Sequence, residues 1–216
     1  MDETTIEIRE YEPRDRAAVR EICRSTAYGG AEEALVDPHL FVDLMIRAYT
    51  DFAAGGVWVA ERRGDVVGYL AGGFDERRLQ RVQAWRVIPG AVTRALGRGL
   101  LWRGSLWRLL ADLPGFVAEG RKAREPDEER YPGHLHVNLL PESRGRAVGR
   151  RLVEQFLDEA RRRELSGVRA VVYETNHKAR RFFERLGFRP IGRRPAFKPP
   201  PKEGGREWKI VYGKEL

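Results

Sequence analysis

The chain has 216 residues, of which 42% are hydrophobic, and it offers five Trp, nine Phe and seven Tyr for a core. This composition excludes global disorder, although 33% of the residues are charged. A formal net charge of +8 favours acidic partners such as phosphates, nucleic acid or anionic lipid, and does not choose among them.

The cysteine content and the N-terminus indicate the compartment. Cys23 is the only cysteine, so no intramolecular disulfide can form, which favours a reducing cytoplasm. The first residues are acidic and lack the apolar stretch of a signal peptide. No apolar run approaches the roughly 20 residues that a membrane span requires. We therefore expect a cytoplasmic protein without a transmembrane segment.

The first quarter of the chain predicts one strand and two helices. Residues 5–9 alternate as a strand does. Pro13 opens a helix with one apolar face, and a second helix begins after Asp37 and runs to about residue 54. The apolar faces are predicted to carry Val19, Ile22 and Cys23 in the first helix, and Leu40, Phe41, Leu44, Met45 and Ala48 in the second.

A hairpin and an unusual segment follow. Residues 57–61 and 66–74 read as two strands around a tight turn. Residues 75–132 differ in composition, because positions 76 to 124 hold eleven basic and three acidic residues. Apolar residues at helical spacing predict one or two helices in this insertion. They are Leu100, Leu101, Trp107, Leu110 and Ala111.

The last third alternates strands and helices. Strands are predicted at 133–140, 168–173, 188–192 and 207–212, and helices at 148–163 and 176–186. Together with the first half, this order predicts an α/β fold with a mixed sheet, in a single domain of residues 1–216 that includes the insertion 75–132.

A turn rich in small residues separates the strand at 133–140 from the helix at 148–163. Small residues let the backbone approach a ligand, and the first N–H groups of a helix attract anions, so the turn suits a phosphate. Taken alone, it could also be an ordinary glycine-rich turn beside a basic helix. The small residues are Gly145, Ala147 and Gly149, and the basic ones are Arg144, Arg146 and Arg150.

A second motif runs from Asn176, which can cap a helix, through Ala179 and an apolar stripe to Gly187. Together the two motifs resemble the signature of the GNAT (GCN5-related N-acetyltransferase) superfamily. That signature reads Arg/Gln-x-x-Gly-x-Gly/Ala, then a strand, then Asn-x-x-Ala-x-x-Phe-Tyr-x-x-x-Gly-Phe. Residues 131–142 are similar, more narrowly, to bacterial GNAT proteins akin to the acetyltransferase-like domain of protein O-GlcNAcases.

The resemblance implies a GNAT fold with a helical insertion between the third and fourth strands, and acetyl-CoA as cofactor. Residues 137–140 should separate from the neighbouring strand so that pantetheine pairs with them. A backbone N–H near Leu139 or Leu140 would polarise the thioester carbonyl. The implied cofactor-binding residues are Leu139, Leu140, Arg144, Gly145, Arg146, Ala147, Val148, Gly149, Arg150, Asn176, Ala179, Phe182 and Phe183.

Three positions bear on the chemistry. Ala147 replaces the usual middle glycine, which we expect to be tolerated if its φ is negative. Phe183 replaces the tyrosine that protonates the leaving thiolate in many relatives, and phenylalanine has no proton to donate. His136 is the candidate base because of its ordinary imidazole pKa. The candidate catalytic set is His136, Asn138 and Leu140, with Glu142 and Glu174 as fallback carboxylates.

The leading hypothesis is direct transfer of an acetyl group from acetyl-CoA to an amine acceptor in a ternary complex. A non-catalytic acyl-CoA-binding domain is the first alternative. Nucleic-acid binding through the insertion is the second, and no recognised motif supports it. We expect the insertion to cover an anionic or amphipathic acceptor, we expect no metal site, and a homodimer stays open.

Overall fold

The computed structural model describes residues 6–27, 37–52, 56–104, 106, 107, 111, 114, 129–196 and 207–216. Its strands are β1 (Glu7–Glu10), β2 (Gly56–Arg62), β3 (Asp65–Gly73), β4 (Gly133–Leu139), β5 (Gly167–Tyr173), β6 (Arg189–Pro195) and β7 (Trp208–Glu215). Its α-helices are α1 (Arg16–Thr26), α2 (Pro38–Thr50), α3 (Glu76–Val82), α4 (Ile88–Gly97), α5 (Val148–Arg162) and α6 (His177–Arg185). Predicted positions 5, 54 and 110 lie outside the described residues.

Within the described residues, a seven-stranded sheet in the order β1-β2-β3-β4-β5-β7-β6 forms the centre of the fold. β4 and β5 run parallel, and the other neighbouring strands pair antiparallel. The predicted mixed α/β sheet is confirmed. β6 and β7 extend further than predicted, to Pro195 and Glu215.

The alternation of the strands separates two cores. In β2 and β3, Trp58 and Leu70 pack on the face covered by α5, whereas Val59 and Tyr69 pack on the face covered by α1 and α2. The apolar residues of α5 recur every three or four positions, so they form one buried stripe. As predicted, that stripe consists of Val148, Leu152, Val153, Phe156, Leu157 and Ala160.

The second predicted helix forms, with a wider buried face than predicted. The Asp37 carboxylate caps α2 by accepting the N–H of Leu40 at 2.7 Å. α1 buries Val19, Ile22 and Cys23 as predicted. Of the stripe predicted for α2, Ala48 is buried, and Phe41, Leu44 and Met45 pack, half-buried, against the same core. The stripe did not include Val42, Ile46 and Tyr49, which are fully buried.

The described part of the insertion between β3 and β4 is mainly helical, as predicted, and docks on α2. A single π-helical turn, Gln83–Val87, joins α3 to α4. The Arg94 side chain donates to the Asp43 carboxylate at 2.7 Å, and the Arg98 side chain donates to Asp37 at 3.1 Å. Of the residues whose spacing predicted a helix, Trp107 and Ala111 are helical, whereas Leu100 and Leu101 belong to a 3-10 turn. Among the described residues, no helix has the length and apolarity to cross a bilayer.

Candidate active site

The sheet opens between its two parallel strands. β4 and β5 pair at three positions, where Gly133, His134 and Leu135 lie opposite residues 168, 169 and 170. Beyond these positions β4 stays with β3 up to Leu139, while β5 stays with β7 up to Tyr173. The two strands therefore diverge, and the separation predicted for residues 137–140 is present.

The register decides which backbone groups face this opening. The N–H of Leu140 donates to the carbonyl of Val67 at 3.0 Å, on the β3 side. Backbone groups of successive strand residues point to opposite sides, so the N–H groups of Leu139 and Val137 point into the opening. The prediction that Leu140 supplies a catalytic or cofactor-binding N–H is therefore wrong, and its side chain packs in the α1–α2 core.

The turn before α5 uses two left-handed residues. Gly145 has a φ of 79° and Ala147 a φ of 58°, so the negative φ on which the tolerance of Ala147 was conditional is absent. Ala147 is the N-cap of α5, and the N–H groups of the first turn have no intrahelical acceptor. Arg144 steadies the turn by donating from Nε to the carbonyl of Leu139 at 3.1 Å. The N-terminus of α5 can therefore accept an anion.

Gly149 marks a close approach of three elements. A Cβ atom there would lie 3.3 Å from Leu139 Cδ1 and 3.4 Å from Phe182 Cζ. The start of α5, the end of β4 and helix α6 thus pack closely together at Gly149, which has no side chain. A side chain larger than alanine would enter the space beside the turn.

A long cleft of about 820 Å³ follows this turn and the β4–β5 opening. Such a volume suits an extended small molecule. Arg146 is exposed and, like Leu140, is not among the residues that line this cleft. The predicted residues that do line it are Asn138, Leu139, Arg144, Gly145, Ala147, Val148, Gly149, Arg150, Asn176, Ala179, Phe182 and Phe183.

Helix α6 provides the far wall of the long cleft. Asn176 caps it by accepting the N–H of Ala179 at 3.0 Å, as its sequence position predicted. Phe183 is buried, with ring centroids 5.1 Å from Phe182 and 5.3 Å from Phe188. Its ring therefore shapes the cavity and offers no proton to a leaving group.

A second, inner cleft of about 460 Å³ lies between α2, α3 and β4. Glu76, Leu79 and Gln83 of the insertion form part of its wall. The two clefts communicate because they share residues at the opening of the sheet. The shared residues are Thr26, Val137, Asn138, Tyr173, Asn176, Ala179 and Phe183.

His136 lines the inner cleft but is a weak base. Burial is the main cause that lowers the pKa of His136 from 6.5 to about 3, and the nearby positive charges of Lys209 and Arg194 add to it. The expectation that His136 keeps an ordinary imidazole pKa is wrong for this reason. Asn138 is fixed, since its Nδ2 donates to the Tyr69 hydroxyl at 2.8 Å.

Sequence reasoning missed two residues that meet His134 in the inner cleft. The hydroxyl of Tyr49 is hydrogen-bonded to His134 Nε2, and Glu76 Oε2 lies 3.0 Å from His134 Nδ1. Arg169 Nη2 lies 3.0 Å from the same carboxylate oxygen. The close approach of His134 outweighs burial and lowers the pKa of Glu76 to about 2, although His134 Nδ1 and Glu76 Oε2 are not aligned as a hydrogen bond. The available signal was that Glu76 is one of three acids in a basic stretch.

Comparison with known proteins adds the family. Residues 117–188 match the model of the Acetyltransferase (GNAT) family. This segment, a third of the chain, is similar to the GNAT acetyltransferase domain. The matched segment includes β4, the turn, α5, β5 and α6, and thus both motifs of the GNAT signature.

Solved structures share the GNAT fold over nearly the whole chain. SsHAT is 27% identical, with a TM-score of 0.69 and 98% of each chain covered. An N-acetyltransferase from Staphylococcus aureus Mu50 is 12% identical, with a TM-score of 0.60 over 98% of this chain and 99% of that one. The protein yncA from Salmonella typhimurium, solved with its cofactor acetyl-CoA, is 20% identical, with a TM-score of 0.58 over 98% and 94%. The narrower likeness to O-GlcNAcase-associated domains stays a prediction.

Proposed function

We propose that this protein is an N-acetyltransferase that transfers an acetyl group from acetyl-CoA to an amine, directly and within a ternary complex. The GNAT family supports an acyltransferase that binds acetyl-CoA. The observation that carries the proposal is the meeting of the two clefts at the β4–β5 opening. The long cleft would hold the coenzyme, and the inner cleft would hold the acceptor.

The residues of the long cleft fit a coenzyme with a phosphate end and an amide-bearing arm. The N-terminus of α5 would hold the pyrophosphate, with Arg144 beside it. The N–H of Leu139 would face the arm in the opening, where it can stabilise negative charge on an oxygen. Acetyl-CoA supplies the acyl group as a thioester. Holding the amine beside it lowers the entropic part of the barrier.

The inner cleft supports an acceptor that carries negative charge. Arg194 and Lys209 line it and contribute positive potential at His136, whereas its carboxylate, Glu76, is engaged by His134 and Arg169. The α3 wall supports the expectation that the insertion covers the acceptor. Cytoplasmic location and dimerisation stay predictions.

Coenzyme binding is tested by thermal unfolding with and without acetyl-CoA. A ligand at 100 times its Kd stabilises the folded state by about 2.7 kcal/mol, so the Tm should rise. Gly149→Glu should abolish the rise through bulk and repulsion of phosphate. Gly97→Glu is the control, because a Cβ there meets no described atom within 4 Å and Gly97 lies outside both clefts. An equal rise in both variants would place the site elsewhere.

Transfer is tested by mass spectrometry of a panel of amines incubated with acetyl-CoA, together with release of free thiol. The panel should contain amino acids, amino sugars, polyamines and lysine peptides. Acetylation of panel members, with acidic amines preferred, is expected. A thermal shift without any acetylated product would support the non-catalytic domain, which Phe183 favours because it lacks a hydroxyl.

A further inference from the structure

The strongest unassigned feature is a buried row of three polar side chains at the inner cleft. It runs from Tyr49 on α2 through His134 on β4 to Glu76 on α3. The side chains of His134 and Glu76 are 12% and 19% exposed, and Tyr49 is 5% exposed. Three elements thus converge on contacts that the packing of the sheet does not require.

The positions of the contacting atoms set the direction in which a proton can move through these three side chains. The Glu76 oxygen 3.0 Å from Nδ1 is not aligned as a hydrogen-bond acceptor, but its negative charge favours the neutral tautomer with the proton on Nδ1, which leaves Nε2 as an acceptor. The Tyr49 hydroxyl then donates to Nε2. Arg169 holds the Glu76 carboxylate from the other side, and itself donates to the Tyr131 carbonyl at 2.9 Å. The carboxylate is therefore fixed and charged.

We propose that Tyr49, His134 and Glu76 form the proton-accepting relay for the acceptor ammonium, a role that rests on the proposed function. The N–H bond of the ammonium breaks, and its proton joins the Tyr49 oxygen while the Tyr49 proton moves to His134 Nε2. The electron pair stays on the amine nitrogen, which becomes the nucleophile. Tyr49 is the catalytic residue, and His134 and Glu76 act through it, with Glu76 stabilising the imidazolium.

The charged groups around His134 suit a proton acceptor better than the groups around His136 do. Burial raises the pKa of Tyr49, so its hydroxyl stays protonated and passes a proton on rather than releasing one. The groups around His134 are Tyr49, Glu76, His136 and Arg169. His136 has no carboxylate among its hydrogen-bond partners in the described residues and has a pKa of about 3. It stays neutral and accepts a proton poorly.

The kinetic test uses Tyr49→Phe and His134→Gln, with the amine of the panel that the wild type acetylates fastest. At about pH 7 we expect kcat to fall roughly 10²- to 10³-fold, the range of general-base catalysis. The KM for acetyl-CoA should stay within about twofold, since none of the three residues lines the long cleft. The defect should shrink towards pH 10, because the solution then supplies neutral amine. Tyr11→Phe and His39→Gln are the controls and lie outside both clefts.

A second readout does not depend on turnover. In ¹⁵N-histidine-labelled protein at about pH 8, His134 should show the Nδ1–H tautomer, with its signals assigned by their loss in His134→Gln. Glu76→Gln should shift these signals and lower kcat less than Tyr49→Phe does. A dominant Nε2–H tautomer would overturn the relay.

The outcomes separate the two proposals. A wild type that acetylates amines while Tyr49→Phe and His134→Gln keep its kcat would overturn the relay alone. So would a defect that is equal at every pH, since that indicates a structural role. A wild type that acetylates no amine of the panel overturns the acetyltransferase proposal and, with it, the catalytic role of Tyr49.

Discussion

Ala147 carries a methyl group in a backbone conformation that glycine adopts more easily. A left-handed φ costs an L-residue about 1 kcal/mol or more, and glycine gives back about 0.4–1 kcal/mol through the entropy of the unfolded chain. Ala147→Gly should therefore stabilise the fold by up to about 1 kcal/mol, or a few degrees in Tm. Acetyl-CoA affinity should change less than about twofold. Calorimetry and titration with acetyl-CoA measure both.

Glu164 provides the matched control for this prediction. It also has a left-handed φ, of 55°, but lies just beyond the C-terminal end of α5, away from both clefts. Glu164→Gly should gain similar stability without any effect on binding. A tenfold weaker affinity confined to Ala147→Gly would show that the methyl group contacts the coenzyme.

His136 makes the folded state sensitive to acid. The unfolded chain takes up a proton near the ordinary pKa of 6.5, whereas the folded chain does so near 3, because burial disfavours the charge. The unfolded state therefore binds more protons between these values, and stability falls as the pH drops through this window, by at most about 1.4 kcal/mol per pH unit. His136→Gln should flatten this slope between about pH 6 and 4 in urea unfolding.

His39 is exposed on α2 and serves as the comparison. His39→Gln should leave the acid dependence of the wild type in place. If His136→Gln retains the same slope as the wild type, burial does not keep His136 neutral, and its role as a base would be open again.

At the scale of elements, α2 joins the insertion to the sheet through buried acids. Burial would raise the pKa of Asp43, but hydrogen bonds from Arg20 and Arg94 outweigh it and hold the pKa below its usual range. Asp43→Asn removes this charge and should destabilise the fold by about 1–3 kcal/mol, since its two arginines are themselves partly solvated. Denaturant unfolding measures the loss, and hydrogen exchange should rise in α4.

An exposed ion pair provides the control for the loss of stability expected in Asp43→Asn. Asp158 pairs with Arg161 on the surface of α5, with 57% of its side chain exposed. Asp158→Asn should change stability by less than about 0.5 kcal/mol. Equal effects of the two substitutions would mean that Asp43 does not couple the insertion to α2.

Local patterns predict most of the elements, because each periodicity is set by residues close together in the chain. The stripe of α5 and the cap at Asn176 could be read in this way. The full width of the buried face of α2 could not, since α2 is covered by the sheet on one side and by α4 on another, which hides its polar–apolar contrast. The contact of Glu76 with His134 depends on how the insertion returns to the sheet, which no local spacing encodes.

At the scale of the whole molecule, the insertion has one side that contacts α2 and the inner cleft and another side that faces solvent. Arg94 and Arg98 meet the acids of α2, and Glu76, Leu79 and Gln83 face the inner cleft. Its three tryptophans, in contrast, point outward. Trp85, Trp102 and Trp107 are 79%, 91% and 58% exposed.

Replacing residues 75–132 with a Gly-Asn turn tests the role of the insertion. Gly73 already lies opposite His134 in the register of β3 and β4, so a short hairpin turn fits. The shortened protein should keep the acetyl-CoA thermal shift, because no described residue of the insertion lines the long cleft. It should lose amine transfer, because Glu76 and the α3 wall are gone.

Two double variants of the full chain test the same role of the insertion even if the shortened protein is too unstable to assay. In the full chain, Leu79→Ala with Gln83→Ala should raise the KM for the amine about tenfold and leave the KM for acetyl-CoA unchanged, since both side chains line the inner cleft alone. Trp85→Ala with Trp102→Ala removes two exposed side chains and should alter neither constant. A shortened protein that acetylates the same amine with an unchanged KM, or an α3 pair with normal kinetics, would show that the insertion does not form the acceptor site.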